Sequence, residues 1–558
     1  MDRAELFDRN LLALHGKSPE LCTLLSNSET TKGSYQLVYS KNNMPVPAII
    51  GCDGLPKPLH SLFDPEKEAE RIIGTIEKAG FLIIFGLGGG YLAKKALERN
   101  DIQSILIVDY NLDSCAELLS LIDYVNLFSN PRISVLFDPS QEYLFNVILS
   151  TYKPAFHGGI QVLPLRPRLD HDPDFFKSAS EAITSSIEAV SEDYSVQAYF
   201  GKPWFSNTIR NVILSEKHNR VFTLPRNVSV TAAGPSLELQ IPLLKQERHK
   251  TFLFATDTSL PTLIAYGIEP DAVISIDCQH ISYYHFVSGK PRHIPLFLDL
   301  SSPPVLATLS DHTYFFSGGH PLTQYISRYW KPFPVVDTSG GNVTYAAIAL
   351  ADQLGASQIS LYGADFSYPE GETYARGTYI HRLFHYKQDR LHPVEALFSE
   401  FLFRNIQLSK IKTEKSWRYE TKPLTSYRKK LEALSERIQA QLIIVEGQGA
   451  PIRVFHLQQK KDVSNVKTIF TTGMAKESAR DFLESYLGCI KGLPQYKTNL
   501  VEYMQQLSEQ ERDAFVTLLP LAAFIRRIHD DIPLEHLLAQ VKDAVIQEIS
   551  SILHVTAK

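Results

Sequence analysis

Three short runs of residues have the types and spacing to hold an anion or a nucleotide. The first is Gly86-Leu87-Gly88-Gly89-Gly90, a glycine turn followed by Asp109 at the end of the next apolar run. Glycines let backbone approach a ligand, and a carboxylate at a strand end accepts from ribose hydroxyls, so this pair suits a nucleotide or S-adenosylmethionine. Tyr91 stands where a strict G-x-G-x-x-G needs its last glycine. A tight strand-to-helix turn that binds nothing is an equal reading. The second run, Ala233-Gly234-Pro235-Ser236-Leu237, directly follows an apolar run and precedes a helical pattern. Its amides and the Ser236 hydroxyl can face an anion at a helix N-terminus, or serve as ordinary caps. The third is Ser339-Gly340-Gly341-Asn342, a polar turn before an alanine-rich helix that leads to a strand ending at Gly363-Ala364-Asp365.

Two helix N-termini and one acidic strand end would then converge at one edge of a sheet, where open α/β sheets bind ligands. Eight of the 18 histidines fall between His280 and His392. His381, His385 and His392 all follow the Asp365 loop, where a proton acceptor is useful, although any one of them is more often structural or solvated. No H-E-x-x-H spacing occurs, and no D-x-D follows a candidate strand, so no metal site is expected.

The elements that must position these residues are legible as periodicity. Phe81–Phe85 is a continuous apolar run, as expected of a strand buried on both faces, and Ser104–Asp109 is a second. With the glycine turn and a helix from Tyr91 they make one βαβ unit. The proline-marked stretch 164–225, with a helical pattern near 175–195, reads as a connector. A second α/β segment begins at 227, with apolar runs at 252–255, 272–277, 295–299, 314–316, 334–337 and 359–363, the pattern of an open, mostly parallel sheet. After about 425 the pattern is mainly helical, broken by L-I-I-V-E-G-Q-G-A-P-I (442–452). Leu431, Leu434 and Ile438 share one helix face there. The expected organisation is α/β and multidomain. It comprises an N-terminal Rossmann-like domain (1–200), a central α/β domain with a mostly parallel sheet (201–424) and a mainly helical C-terminal region (425–558), with 465–558 as a separate bundle for a protein partner.

Composition narrows the classes. A chain of 558 residues is too long for one core at roughly 100–200 residues per domain. Lys+Arg 56 against Asp+Glu 61 leaves a net charge of −5, which implies no general attraction to nucleic acid or anionic membrane. The five cysteines (Cys22, Cys52, Cys115, Cys278, Cys489) are far apart, without a C-x-x-C, so a reducing compartment is expected. The N-terminus lacks a signal-peptide pattern and no window reaches a membrane span, which reads as cytoplasmic.

Several of these residues belong to longer matches. L-H-S-L-F-D-P-E-K-E-A (59–69), G-L-G-G-G-Y, A-G-P-S-L, Y-G-I-E-P-D-A-V-I-S-I-D (266–277), the S-G-G-N to G-A-D-F block and E-G-Q-G-A-P-I (446–452) resemble the Maf (motility-associated factor) proteins, proposed flagellin glycosyltransferases. Gln448 interrupts that family's E-G-G-A-x-I signature. The central motifs are also similar to those of bacterial sialyltransferases that use CMP-activated sugars, implying a sialyltransferase-like central domain. The resemblance implies transfer of a nonulosonic acid (pseudaminic, legionaminic or sialic type) from its CMP donor to Ser/Thr of flagellin, with no cofactor and no metal. It implies Gly234, Pro235 and Ser236 at the donor phosphate, and Ser339, Gly340, Gly341 and Asn342 at the nucleotide. Asp277 also joins the donor site and Asp365 lines the sugar pocket, with His381, His385 or His392 as base. A pterin-type diphosphokinase and a non-catalytic flagellin-binding chaperone are the alternatives.

Overall fold

The apolar runs become parallel strands, and the reason is visible in how their side chains divide. The computed structural model describes residues 2–28, 33–51, 53–218, 221–287, 289, 291–405, 407–412, 416–455, 470–497, 499–530 and 532–555. The chain forms two compact units, residues 1–201 with 490–544 and residues 202–489 with 545–558.

In the first unit a small antiparallel sheet, β1 (Tyr35–Tyr39), β2 (Pro45–Ile50) and β3 (Pro56–Pro58), precedes a four-stranded parallel one. The latter is built from β4 (Phe81–Phe85), β5 (Ser104–Asp109), β6 (Ile133–Phe137) and β7 (Ile160–Pro164) in the order β6-β5-β4-β7. Leu82, Ile84, Ile105 and Ile107 face one core, while Phe81, Ile83, Phe85, Leu106 and Val108 face another that includes Phe176 and Ile183. Side chains alternate sides along a strand, so a sheet covered on both faces needs an uninterrupted apolar run. The antiparallel sheet was not legible, because its strands carry prolines and polar positions. The stretch read as a connector contains a 43-residue helix, Pro173–Ser215, with Pro203 inside it. Prolines and charged residues marked that segment as irregular, yet tertiary packing of Phe176, Ala179, Ile183 and Val190 stabilises it.

The second unit holds a seven-stranded parallel sheet: β8 (Asn227–Thr231), β9 (Phe252–Thr256), β10 (Ala272–Ser275), β11 (Leu296–Asp299), β12 (Thr313–Phe316), β13 (Gln358–Tyr362) and β14 (Gln441–Ile444). Their order is β12-β11-β10-β9-β8-β13-β14. The run at 334–337 makes only an isolated bridge, Val335 to Ser317, rather than a strand. Leu442 opens the run that breaks the helical pattern after 425, and it enters the core with the strand β14 that contains it. The helix Lys422–Ser435 buries Leu431 and Leu434 in that core, joined by Ile438 just beyond it, so its apolar stripe packs on its own unit.

The C-terminal segment is not a separate bundle. Phe515 packs on Phe156 (ring centroids 4.9 Å apart) inside the first unit, and Phe482 stacks on Trp330 at 5.5 Å inside the second. Residues 456–469 of this segment, and Cys52, lie outside the described residues. Cys22, Cys115, Cys278 and Cys489 form no disulfide. Among the described residues no helix is long and apolar enough to cross a membrane.

Candidate active site

The order of strand addition in the second unit's sheet reverses between the parallel neighbours β8 and β13: the chain proceeds from β8 towards β12 on one side and from β13 to β14 on the other. A crevice opens outside the carboxyl ends of strands at such a switch point. The Gly234–Ser236 turn leaves β8 there, and Gly363-Ala364-Asp365 leaves β13.

These two turns are bonded to each other. The Asp365 carboxylate, 4% exposed, accepts from the Ser236 amide (2.9 Å) and from the Ser236 hydroxyl. The Gly234 amide donates to the Gly363 carbonyl at 2.9 Å, and the amides of Leu237 and Glu238 turn back on Gly234 and Pro235. Burial raises the Asp365 pKa, and the hydrogen bonds from Ser236 pull it back. The anion at this helix N-terminus is therefore the chain's own carboxylate. Glycine is required by close approach: a Cβ on Gly234 would collide with the Asp365 carboxylate. The 446–450 segment closes the arrangement. The Gln448 amide donates to Ser236 Oγ (2.7 Å), the Ala450 amide donates to the Asp365 carbonyl (2.8 Å), and a Cβ on Gly447 would stand 2.6 Å from Ser236 Oγ. Gln240 ties all three segments, accepting from the Gly363 amide and donating to the carbonyls of Val445 and Glu446.

The turn Ser339–Asn342 is a helix cap. The Asn342 side chain accepts from the Tyr345 amide (3.0 Å), and Asp337 accepts from the Ser339 amide (2.9 Å) and the Tyr345 hydroxyl (2.8 Å). Burial works to raise the Asp337 pKa, but bonds from Ser339 and Tyr345 outweigh it and hold the carboxyl low. The Arg437 guanidinium donates to the same Tyr345 hydroxyl at 3.1 Å. Gly340 lies against Tyr345, and Gly341, at φ 73°, faces Tyr427.

A row of carboxylates follows the neighbouring strands: Asp257 after β9, Asp277 after β10 and Asp299 ending β11. Asp257 accepts from the Ser275 hydroxyl (2.6 Å) and Asp277 from the Gln279 amide (2.8 Å). Burial raises the Asp277 pKa, Asp257 adds to the rise and His285 opposes it. Burial raises the pKa of Tyr427, whose ring lies against Gly341, and Asp277 adds to the rise.

Of the three histidines following Asp365, His381 and His385 stack on one another with ring centroids 6.4 Å apart. His381 is half-buried against Phe398 in the helix Tyr379–Lys387, with burial lowering its pKa and Glu238 opposing. His385 is exposed beside Gln388, and His392 is exposed beside Asp389. Among the described residues no group of three or more His, Cys, Asp or Glu side chains is placed to hold a metal ion. The sequence reading passed over His285, Tyr345, Tyr427 and Arg437. Only the histidine excess between 280 and 392 pointed at the first, and nothing in the spacing pointed at the others.

The glycine turn of the first unit is filled from within. Asp109, fully buried, receives the Leu87 amide (2.8 Å) and an ion pair from Arg168 Nε (2.7 Å). His60 Nε2 accepts from the Gly89 amide (2.8 Å), and Tyr124 donates to the Gly88 carbonyl. Gly88 has φ 50°, and a Cβ there would meet His60 Nε2 and Leu165 at 2.5 Å. Side chains of the chain itself take the volume and the hydrogen bonds that a nucleotide would use.

Residues 206–371 match the family model of 6-hydroxymethylpterin diphosphokinase MptE-like domains. The chain is 31% identical over 176 residues to an uncharacterized protein of Treponema pallidum (strain Nichols), spanning 82% of it and 30% of this chain. A second such protein is 36% identical over 124 residues and a third 27% over 242. The matches span 44% and 42% of those proteins and 22% and 41% of this chain. Among solved structures, the MAf glycosyltransferase from Magnetospirillum magneticum AMB-1 superposes with a TM-score of 0.60. It covers 99% of this chain and 95% of that one at 15% identity, a likeness of fold.

Proposed function

The chain belongs to one family with the Treponema pallidum protein and carries the fold of the Maf glycosyltransferase, and from that premise we propose that it is itself a glycosyltransferase. In this reading it moves a nonulosonic acid from a CMP donor to Ser/Thr hydroxyls of flagellin, in the cytoplasm. The observation that carries the proposal is the extent of the likeness: it spans 99% of the chain, including segments outside the central sheet. A small-molecule kinase has no use for such flanking structure, whereas transfer to a protein draws on binding energy remote from the reacting hydroxyl.

In this reading the donor nucleotide binds at the carboxyl edge of the central sheet, with Gly234, Pro235 and Ser236 at its phosphate, Ser339, Gly340, Gly341 and Asn342 at the nucleotide, Asp277 in the donor site and Asp365 at the sugar. A CMP-nonulosonate carries its own carboxylate and a good phosphate leaving group, so the protein has to supply mainly a proton acceptor and hydrogen-bond donors. The MptE-like match over residues 206–371 favours one other reading, diphosphate transfer from ATP to a pterin alcohol. Intact-mass analysis separates the two. Flagellin incubated with the chain and CMP-nonulosonate should gain whole sugar increments, while hydroxymethylpterin with ATP and Mg²⁺ should stay unmodified. A diphosphorylated pterin with unmodified flagellin would overturn the glycosyltransferase reading.

A further inference from the structure

Arg418 and Arg428 share one carboxylate. Arg418 Nε donates to Glu420 Oε1 at 2.8 Å, and Arg428 Nη2 lies 3.7 Å from Glu420 Oε2. The side chains of Arg418, Arg428 and Glu420 are 12%, 17% and 14% exposed, and among the described residues no other carboxylate pairs with either arginine. Charged side chains taken out of water are normally paired, yet this cluster keeps one uncompensated positive charge. Its donors are under-used as well. A guanidinium carries five N–H donors. Arg428 makes one long bond, from Nη1 to the Pro451 carbonyl at 3.3 Å, and its Nε is buried without a partner. Arg428 Nη2 and both Nη atoms of Arg418 make no hydrogen bond to the described residues and, unlike that Nε, reach solvent.

Direct contacts place the cluster beside the candidate site. Pro451 follows Ala450, whose amide donates to the Asp365 carbonyl (2.8 Å) and lies 3.0 Å from Ser367 Oγ. Arg418 stands opposite Pro369 in an antiparallel pair, and the strand Tyr368–Pro369 continues directly from Ser367. Tyr427, next to Arg428 in the helix Lys422–Ser435, sets its ring against Gly341. The donor residues of the glycosyltransferase reading include two carboxylates, Asp277 and Asp365, and no cation. A CMP-nonulosonate brings two negative groups of its own, a phosphate and a carboxylate.

We propose that Arg418 and Arg428 together bind the carboxylate of the transferred sugar and so select an acidic sugar over a neutral one. This rests on the glycosyltransferase reading. The planar fork of a guanidinium matches a planar carboxylate bidentately, and such charge-assisted bonds are about twice as strong as neutral ones. The arginines lie on the Asp365–Ser367 side, where that reading has the sugar.

The test measures binding to the full chain by calorimetry with CMP, CMP-nonulosonate and the methyl ester of its carboxylate. The wild type should bind the acid about 10–100-fold more tightly than the ester, the worth of a hydrogen bond to a charged group. R418Q and R428Q should each remove most of that preference and leave CMP affinity unchanged, while R292Q, a surface control paired with Asp311, should keep it. R428K keeps the charge beside Glu420 but loses the fork, so its preference should fall between. Equal wild-type affinity for acid and ester overturns the proposal without any variant. Parallel losses for CMP and CMP-nonulosonate in R428Q and R428K overturn it too, since the arginines would then serve the phosphate. If R428Q fails to fold, an undiminished preference for the acid in R428K overturns it equally. A wild-type chain that neither binds CMP-nonulosonate nor transfers its sugar overturns the glycosyltransferase reading and this assignment together. Transfer by the wild type, with the preference unaltered in the arginine variants, overturns only the assignment.

Discussion

Asp365 accepts hydrogen bonds from both the amide and the hydroxyl of Ser236, joining the loop after β13 to the first turn of the helix after β8. The sheet's switch point is thereby pinned by the chain's own anion. Ser236→Ala removes a bond to a buried carboxylate, and such bonds contribute about 1.5–3 kcal/mol. Urea unfolding followed by tryptophan fluorescence should show a loss of that size. Wild-type stability with weakened CMP binding would instead mean that the hydroxyl serves the ligand.

Arg168 is 1% exposed and Asp109 is fully buried. Arg168→Ala leaves a buried carboxylate without its counter-ion, a change that costs about 3–5 kcal/mol. Chemical denaturation should register it in the first unit. Because His60, Leu165 and Arg168 fill the cradle, NAD or S-adenosylmethionine at millimolar concentration should leave the wild-type Tm unchanged.

His157 is buried against Phe81, and burial lowers its pKa from 6.5 to about 4. The unfolded chain therefore binds a proton that the folded chain refuses between these values. Stability should be full above pH ~6.5 and fall as pH drops towards ~4, by about 3 kcal/mol from this one group. His157→Gln should flatten the acid side of a stability–pH curve measured by urea unfolding. An unchanged slope would show that another group dominates.

Transfer should survive EDTA, since no D-x-D follows any strand of the central sheet. Complete loss on chelation, restored by Mg²⁺ or Mn²⁺, would favour diphosphate transfer.

Elements whose burial leaves a periodic imprint were legible in the sequence. Phe81–Phe85 had to be a strand covered on both faces, and Ser339–Asn342 had to begin a helix, because local chemistry alone dictates these. The same holds for the two turns that leave β8 and β13. Which partners those turns meet was decided by tertiary structure. The sequence shows a glycine-rich turn as a place where backbone can approach something closely, but not whether that something is a ligand or another part of the chain. At Gly88 it is His60 and Leu165, and at Gly234 it is Asp365. The enclosure of His285 Nδ1 likewise depends on Tyr379, 94 residues away, whose approach no spacing encodes. Local propensity is written residue by residue, while burial and partnership come from contacts between segments far apart in the chain, and only folding brings those segments together.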